Sequence, residues 1–279
     1  MRLAIAAAAA LLVLGAPYRV DSQAIVAGAE LSYADAADLA LAASVAAHVR
    51  VARASALRRR EAPDVAPGHR RFYVEADILS LIRGPGALPA RVSYLVDLPN
   101  DARGRAARIP RRAEYVLLAT AVAGRPGELR LVAPDAQLAY SPALADRIRS
   151  ILREAIPADA PPRVTAVGRA FHVPGSIPGE SETQIFLQTA NERPVSLTVL
   201  RRPGERPRWA VSLSELVDDN ALTPRPESLL WYRLACTLPR ALPPQSLADA
   251  SASEADAIRS DYRLVLESLG PCVRNRRLR

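Results

Sequence analysis

His172 is the histidine with the most reactive neighbours in the sequence. Ser176 and Ser181 follow it, and Glu180 and Glu182 flank the second serine. A histidine base beside a serine hydroxyl is the minimum equipment of a hydrolase. Gly179-Glu180-Ser181-Glu182-Thr183 lacks the closing glycine of the Gly-x-Ser-x-Gly nucleophile elbow, however. The same residues read as a polar hairpin loop with capping serines. His48 lies beside Arg50 on a face of small residues and reads as surface, and His69 falls in a loop. Two carboxylate pairs stand out. Asp218-Asp219 reads as a turn before Asn220. Glu75 and Asp77 share a strand face about 7 Å apart, within the span of glycosidase pairs, but any two acids on a solvated face do the same. No catalytic residue is assigned; a hydrolase using His172 and a nearby serine stands as the alternative reading.

The arginines carry more information. The chain has 279 residues and 37 basic side chains, none of them lysine, with a net charge of +8. Coding bias toward GC-rich codons accounts for Arg, Ala and Pro together. The missing lysine still excludes chemistry: a P-loop, a Schiff base, a Ser-Lys dyad and a protein kinase all need one. Neither His-x-x-x-His nor Cys-x-x-Cys occurs, so no metal and no cofactor is expected. Arg50, Arg53, Arg58, Arg59, Arg60, Arg70 and Arg71 gather around the loop after the first predicted strand. Arg103, Arg105, Arg108, Arg111 and Arg112 gather after the third. Alternate loops of an antiparallel meander emerge at one end, so both clusters would rim the same pole and attract anions. The expected anion-binding set is Arg58, Arg59, Arg60, Arg71, Arg111 and Arg112. Two solvated loops would look the same in sequence.

These loops need elements to hold them. Tyr33 to Ala43 reads as a short helix. Period-two alternation then predicts strands at Val45–Leu57, Arg71–Ile82, Leu88–Leu98, Ala113–Thr120 and Glu128–Ala133. Gly84-Pro85-Gly86 and Gly124-Arg125-Pro126-Gly127 are turns. Ser141-Pro142 opens a helix as N-cap and first helical residue, with Leu144, Ile148, Ile151 and Leu152 on its apolar face. Three prolines between Ile156 and Arg163 mark a linker. Four more strands follow, at Arg163–Val173, Thr183–Thr189, Pro194–Leu200 and Pro207–Leu213. Two helices close the chain: Glu227–Leu238, and one opened by the Ser251/Glu254 capping box and stopped at Gly270-Pro271. Trp209, Trp231 and Tyr232 are expected to pack strand against helix.

The N-terminus reads as an address. Arg2 precedes an apolar run from Leu3 to Ala16 that is short for a membrane span. Ser22-Gln23-Ala24 suits cleavage after Ala24, and Ala27-Gly28-Ala29 offers a second place after Ala29. An uncleaved anchor or a buried helix are the other readings. Export to the periplasm or outside the cell would place Cys236 and Cys272 where disulfides form. Closing their 36-residue separation would stabilise the fold by ~4 kcal/mol on the chain-entropy argument; two buried free thiols are the alternative.

Over Val45 to Ala133, five strands precede a helix, and Arg83-Gly84 ends the second strand just before Val92-Ser93-Tyr94-Leu95-Val96 begins the third. This pattern resembles small oligomer-binding (OB) type barrels, netrin-like modules included, over about a third of the chain. The N-terminal cysteine framework of the netrin-like family is absent, so the resemblance does not extend to protease inhibition. The whole chain is similar to uncharacterised secreted proteins of GC-rich Gram-negative bacteria, a likeness that brings no function with it. The expected architecture is α+β and β-rich. A signal peptide (1–24) precedes a five-stranded OB-like barrel with a flanking helix (25–156). A second antiparallel β domain (163–279) is closed by two disulfide-linked helices. The function expected is a non-catalytic envelope module that binds a protein or an anionic surface component. Nucleic acid is not expected, because strand binding wants stacking aromatics and only Tyr73 and Tyr94 are near.

Overall fold

The computed structural model describes residues 31–276, except 87, 102, 106 and 214–222. The expected signal peptide and the Asp218-Asp219 turn lie outside the described residues.

Helix α1 (Tyr33–Ala42) starts at Ser32, whose hydroxyl accepts from Asp35 N–H while the Asp35 carboxylate closes the capping box. Its run of alanines lets neighbours approach on every side, and most of the helix is buried. Strand β1 (Val45–Ala56) follows at once. It pairs antiparallel with β2 (His69–Arg83) on one side and with β4 (Glu114–Ala121) on the other. β2 pairs antiparallel with β3 (Arg91–Pro99). β5 (Glu128–Leu131) runs parallel to β3 and antiparallel to β4. The ring β1-β2-β3-β5-β4-β1 is therefore a closed, mixed five-stranded barrel, as the OB-like reading expects. The alternation anticipated for β1 is met: Val45, Ala47, Val49 and Val51 point into the barrel with Val74, Val92, Tyr94 and Leu117. Three register shifts between β1 and β2 mark irregularities that bend the long strands.

A short strand β6 (Gln137–Ala139), which the alternation pattern does not reveal, adds to β4. Ser141 caps α2 (Pro142–Glu154), accepting from Leu144 N–H at 3.1 Å. The linker after it is ordered by Arg193, whose guanidinium donates to the carbonyls of Ala158 and Ala160 at 2.9 and 3.0 Å. The second sheet is antiparallel in the order β10-β9-β8-β7, from β7 (Val164–Pro174), β8 (Ser181–Thr189), β9 (Val195–Arg201) and β10 (Arg208–Ser212). Helices α3 (Leu229–Ala235) and α4 (Ala252–Leu269) close it, and Cys236 and Cys272 are disulfide-bonded with Cα atoms 5.0 Å apart. One buried cluster includes Leu39 of α1, Val116 of β4, Ile148 of α2, Ile185 of β8 and Val265 of α4. The linker thus separates the two sheets, while their packing is continuous through the helices.

Candidate functional site

Strand direction decides where the arginines go. β1 ends, β2 begins, β3 ends and β4 begins at one pole of the barrel, so loop 57–68 and loop 100–113 both leave from it. A backbone bond joins them. Gly68, at φ +76°, offers its carbonyl to Asn100 N–H at 2.7 Å, a left-handed conformation that a side chain would strain. Arg112 N–H donates to Val51 O at 2.9 Å, anchoring the second loop to β1. Arg58, Arg59, Arg60, Arg111 and Arg112 are all exposed at this pole. Among the described residues, none of these five guanidinium groups has an acidic partner. Glu61 is spent on the backbone, accepting from Arg58 N–H at 2.8 Å.

Arg71 differs from the other five. Its Nε and Nη2 donate to the Asp97 carboxylate at 2.7 and 2.8 Å across the β2–β3 ladder. Its Nη1 reaches both oxygens of Asp64 at 3.0 Å. The bond to Asp97, helped by Asp64, raises the Arg71 pKa further above its ordinary value. The bond from Arg71 holds Asp64 below the usual carboxylate range. Arg71 therefore stitches loop 57–68 to the sheet, and sequence alone could not separate it from the unpartnered five.

From Asp64 and Arg71 a cleft of about 820 Å³ runs across the outer face of β2, β3 and β5 to Arg125 in the loop between β4 and β5. Tyr73 and Leu95, cross-strand partners, stand exposed on its floor. Arg130 adds an exposed cation without an acidic partner among the described residues, while Arg125 is paired to Glu128 at 3.1 Å. Tyr94 faces the other way. It is buried in the barrel, its hydroxyl donates to Gln137 Oε1 at 2.8 Å, and burial pushes its phenol well above the ordinary value. The cleft opens where β5 stops pairing: β5 meets β3 only at Ser93–Glu128 and Tyr94–Leu129, whereas β3 continues to Pro99.

His172 is half-buried on the inner side of the second sheet and meets a threonine. Thr183, fully buried, donates its proton to Asp261 Oδ2 at 2.5 Å, so the His172 ring donates to Thr183 Oγ1 from Nδ1 at 2.8 Å. Arg201 Nε completes the network on Asp261 Oδ1 at 2.7 Å. Neither Ser176 nor Ser181 is bonded to His172, and the Thr183 hydroxyl is closed to solvent. Asp77 is bound by Arg91 Nε at 2.7 Å rather than joined with Glu75. His48, expected at the surface, is instead largely buried. Its side chain is 12% exposed, stacked on Tyr140 at 3.6 Å and bonded to Glu114 at 2.8 Å. Tyr140 reaches it from the end of β6, the strand that the pattern misses. Arg50 and His48 together hold Glu114 below the usual carboxylate range.

Trp209 donates to Ser268 at 2.7 Å and Trp231 to Leu269 O at 2.8 Å, so both tie their elements to α4. The outer face of the second sheet leaves Phe171, Val173, Phe186 and Leu200 exposed around a pocket of about 530 Å³. Among the described residues, no cluster of metal-ligating side chains is present and no helix is long and apolar enough to cross a membrane. No protein-family model matches the sequence, and no curated protein matches it.

Proposed function

We propose that the protein is an exported, non-catalytic binding module of the bacterial envelope whose barrel recognises an anionic surface component. The observation that carries this reading is the cationic pole: five exposed arginines on two loops tied to one end of the barrel, with no acidic partner among the described residues. Charges of one sign left unneutralised on one pole attract counter-charged ligands and raise their encounter rate. The adjoining cleft supports the same reading. OB-type barrels bind ligands on the face of strands 2 and 3, between the loops joining strands 1–2 and 4–5, and this cleft occupies that face. Its exposed Tyr73, Leu95 and Arg130 offer stacking, apolar contact and a further cation. Export is supported by the Cys236–Cys272 bond, because disulfides persist in oxidising compartments.

Co-sedimentation tests the proposal. The protein is mixed with phosphatidylglycerol-containing vesicles, with neutral phosphatidylcholine vesicles, and with a soluble acidic polysaccharide as competitor. Binding to the anionic vesicles that salt weakens supports the reading, and competition by the polysaccharide separates a glycan source of charge from a lipid one. Equal binding to neutral vesicles, or none to either polyanion, refutes it.

A further inference from the structure

The segment after α4 is heavily hydrogen-bonded and ion-paired. Gly270, at φ +70°, turns the chain, Cys272 joins Cys236 at the C-cap of α3, and residues 272–276 run back to α1 as a strap. Arg274 Nε and Nη2 donate to Asp38 at 2.7 and 3.3 Å. Arg276 Nε and Nη2 donate to Asp135 at 2.8 and 2.6 Å. Between them, the backbone N–H groups of Asn275 and Arg276 donate to Asp35 Oδ2 at 2.8 and 3.2 Å. Asp35, 1% exposed, is thus shared by the strap and the capping box of α1. The remaining nitrogen of Arg274, Nη1, donates to Cys272 Sγ at 3.2 Å. A disulfide therefore holds residues 272–276 to α3, one bidentate ion pair and two backbone bonds hold them to α1, and a second bidentate pair holds them to Asp135.

We propose that Cys236–Cys272 is a reducible clasp: exchange with an external dithiol opens it, Cys272 departs as a thiolate under Arg274, and the strap leaves α1. In the first step a thiolate of the reductant attacks Cys236 Sγ. The S–S bond breaks and its electron pair goes to Cys272 Sγ, where the guanidinium stabilises the charge. The second thiol of the reductant then attacks the mixed disulfide, frees Cys236 and leaves the reductant as a cyclic disulfide. The protein gains two electrons and two protons, and the reductant loses the same. The direction follows from charge placement. Cys272 has a cation beside it, whereas Cys236 ends α3, where the helix carbonyls concentrate negative charge. Both cysteines are partly exposed, so a small thiol can reach the bond. Once it opens, the strap is held by pairs such as Arg274–Asp38 and Arg276–Asp135, and partly exposed pairs contribute little alone.

Two measurements on the full chain test this. With glutathione as a single-thiol probe, mass spectrometry locates the mixed disulfide: it falls on Cys236 with Cys272 free, and Arg274→Ala slows the reaction and evens the distribution. Hydrogen exchange then follows the strap. Reduction by dithiothreitol leaves the Asn275 and Arg276 amides exchanging at least ~10-fold faster than the Val116 and Ile185 amides, whose exchange rises only with the loss of global stability. A conjugate on Cys272, or one that Arg274→Ala leaves unchanged, overturns the polarised exchange. Undiminished protection of Asn275 and Arg276 after reduction overturns the clasp. Equal exchange at the strap amides and at Val116 and Ile185 after reduction also overturns it, since the strap would then open only with the whole fold.

Discussion

Two regions of the molecule use the same side chain in opposite ways. At the barrel pole, Arg58, Arg59, Arg60, Arg111 and Arg112 stand exposed, and no carboxylate among the described residues answers them. In the C-terminal strap, Arg274 and Arg276 are each gripped by a carboxylate through two nitrogens, and Arg276 is only 9% exposed. Composition cannot tell these sets apart, because every basic residue is arginine. Partnership can. A satisfied guanidinium is part of the fold, and an unsatisfied one on a rigid loop keeps its charge available to a ligand. Arg71 falls on the satisfied side although it sits among the unsatisfied.

The comparison sharpens into stability measurements. The largest effect is expected at the bond that fixes the strap: replacing Cys236 and Cys272 by serine costs about 4 kcal/mol, a fall of roughly 10 °C in thermal midpoint. Next comes Asp135→Ala, which strips the partner from Arg276 and costs about 1 kcal/mol by chemical denaturation. Acid then separates the regions. Burial would raise Asp38, but the bonds from Arg274 and Tyr232 outweigh it and hold the group below the usual range; the bond from Arg276 lowers Asp135 likewise. Their unfolded values lie near 4. Strap stabilisation is therefore complete above about pH 4 and lost as pH falls through the lowered folded values. The gap in thermal midpoint between the native protein and an Arg274→Ala/Arg276→Ala variant should stay constant from pH 7 to about 4 and close below that. A gap that does not narrow at all as pH falls below about 4 would mean the arginines act through packing. The smallest effect belongs to the rim: Arg58, Arg59 and Arg60 changed together to serine should move stability by no more than about 0.5 kcal/mol. A larger loss would place them with the strap.

Much of the fold was legible because the signals were local. Alternation in Val45–Val51 placed those side chains inside the barrel, and Ser141-Pro142 and Ser251/Glu254 opened helices where they stand. The convergence of the two arginine loops followed from strand alternation alone. What escaped depends on contacts distant in sequence. β6 has three residues, too few for a period. The burial of His48 comes from Tyr140 and Glu114, each more than sixty positions away. The pairing of Arg71 needs Asp97 on a neighbouring strand. Arg274 and Arg276, which follow the last helix stop in sequence, are bound by Asp38 and Asp135, acids placed far away in the first half of the chain.

Net charge alone could draw a +8 protein to an anionic surface, so the decisive measurement holds charge constant. Affinity for phosphatidylglycerol vesicles is compared between two variants, each with five arginines changed to serine. One removes Arg58, Arg59, Arg60, Arg111 and Arg112; the other removes the exposed Arg153, Arg202, Arg206, Arg240 and Arg263. The rim variant should lose at least about 100-fold in affinity, at roughly 1 kcal/mol per arginine held near an anionic surface, and the matched variant only a few-fold. Equal losses would contradict the account, because attraction would then belong to the whole surface and not to the barrel pole.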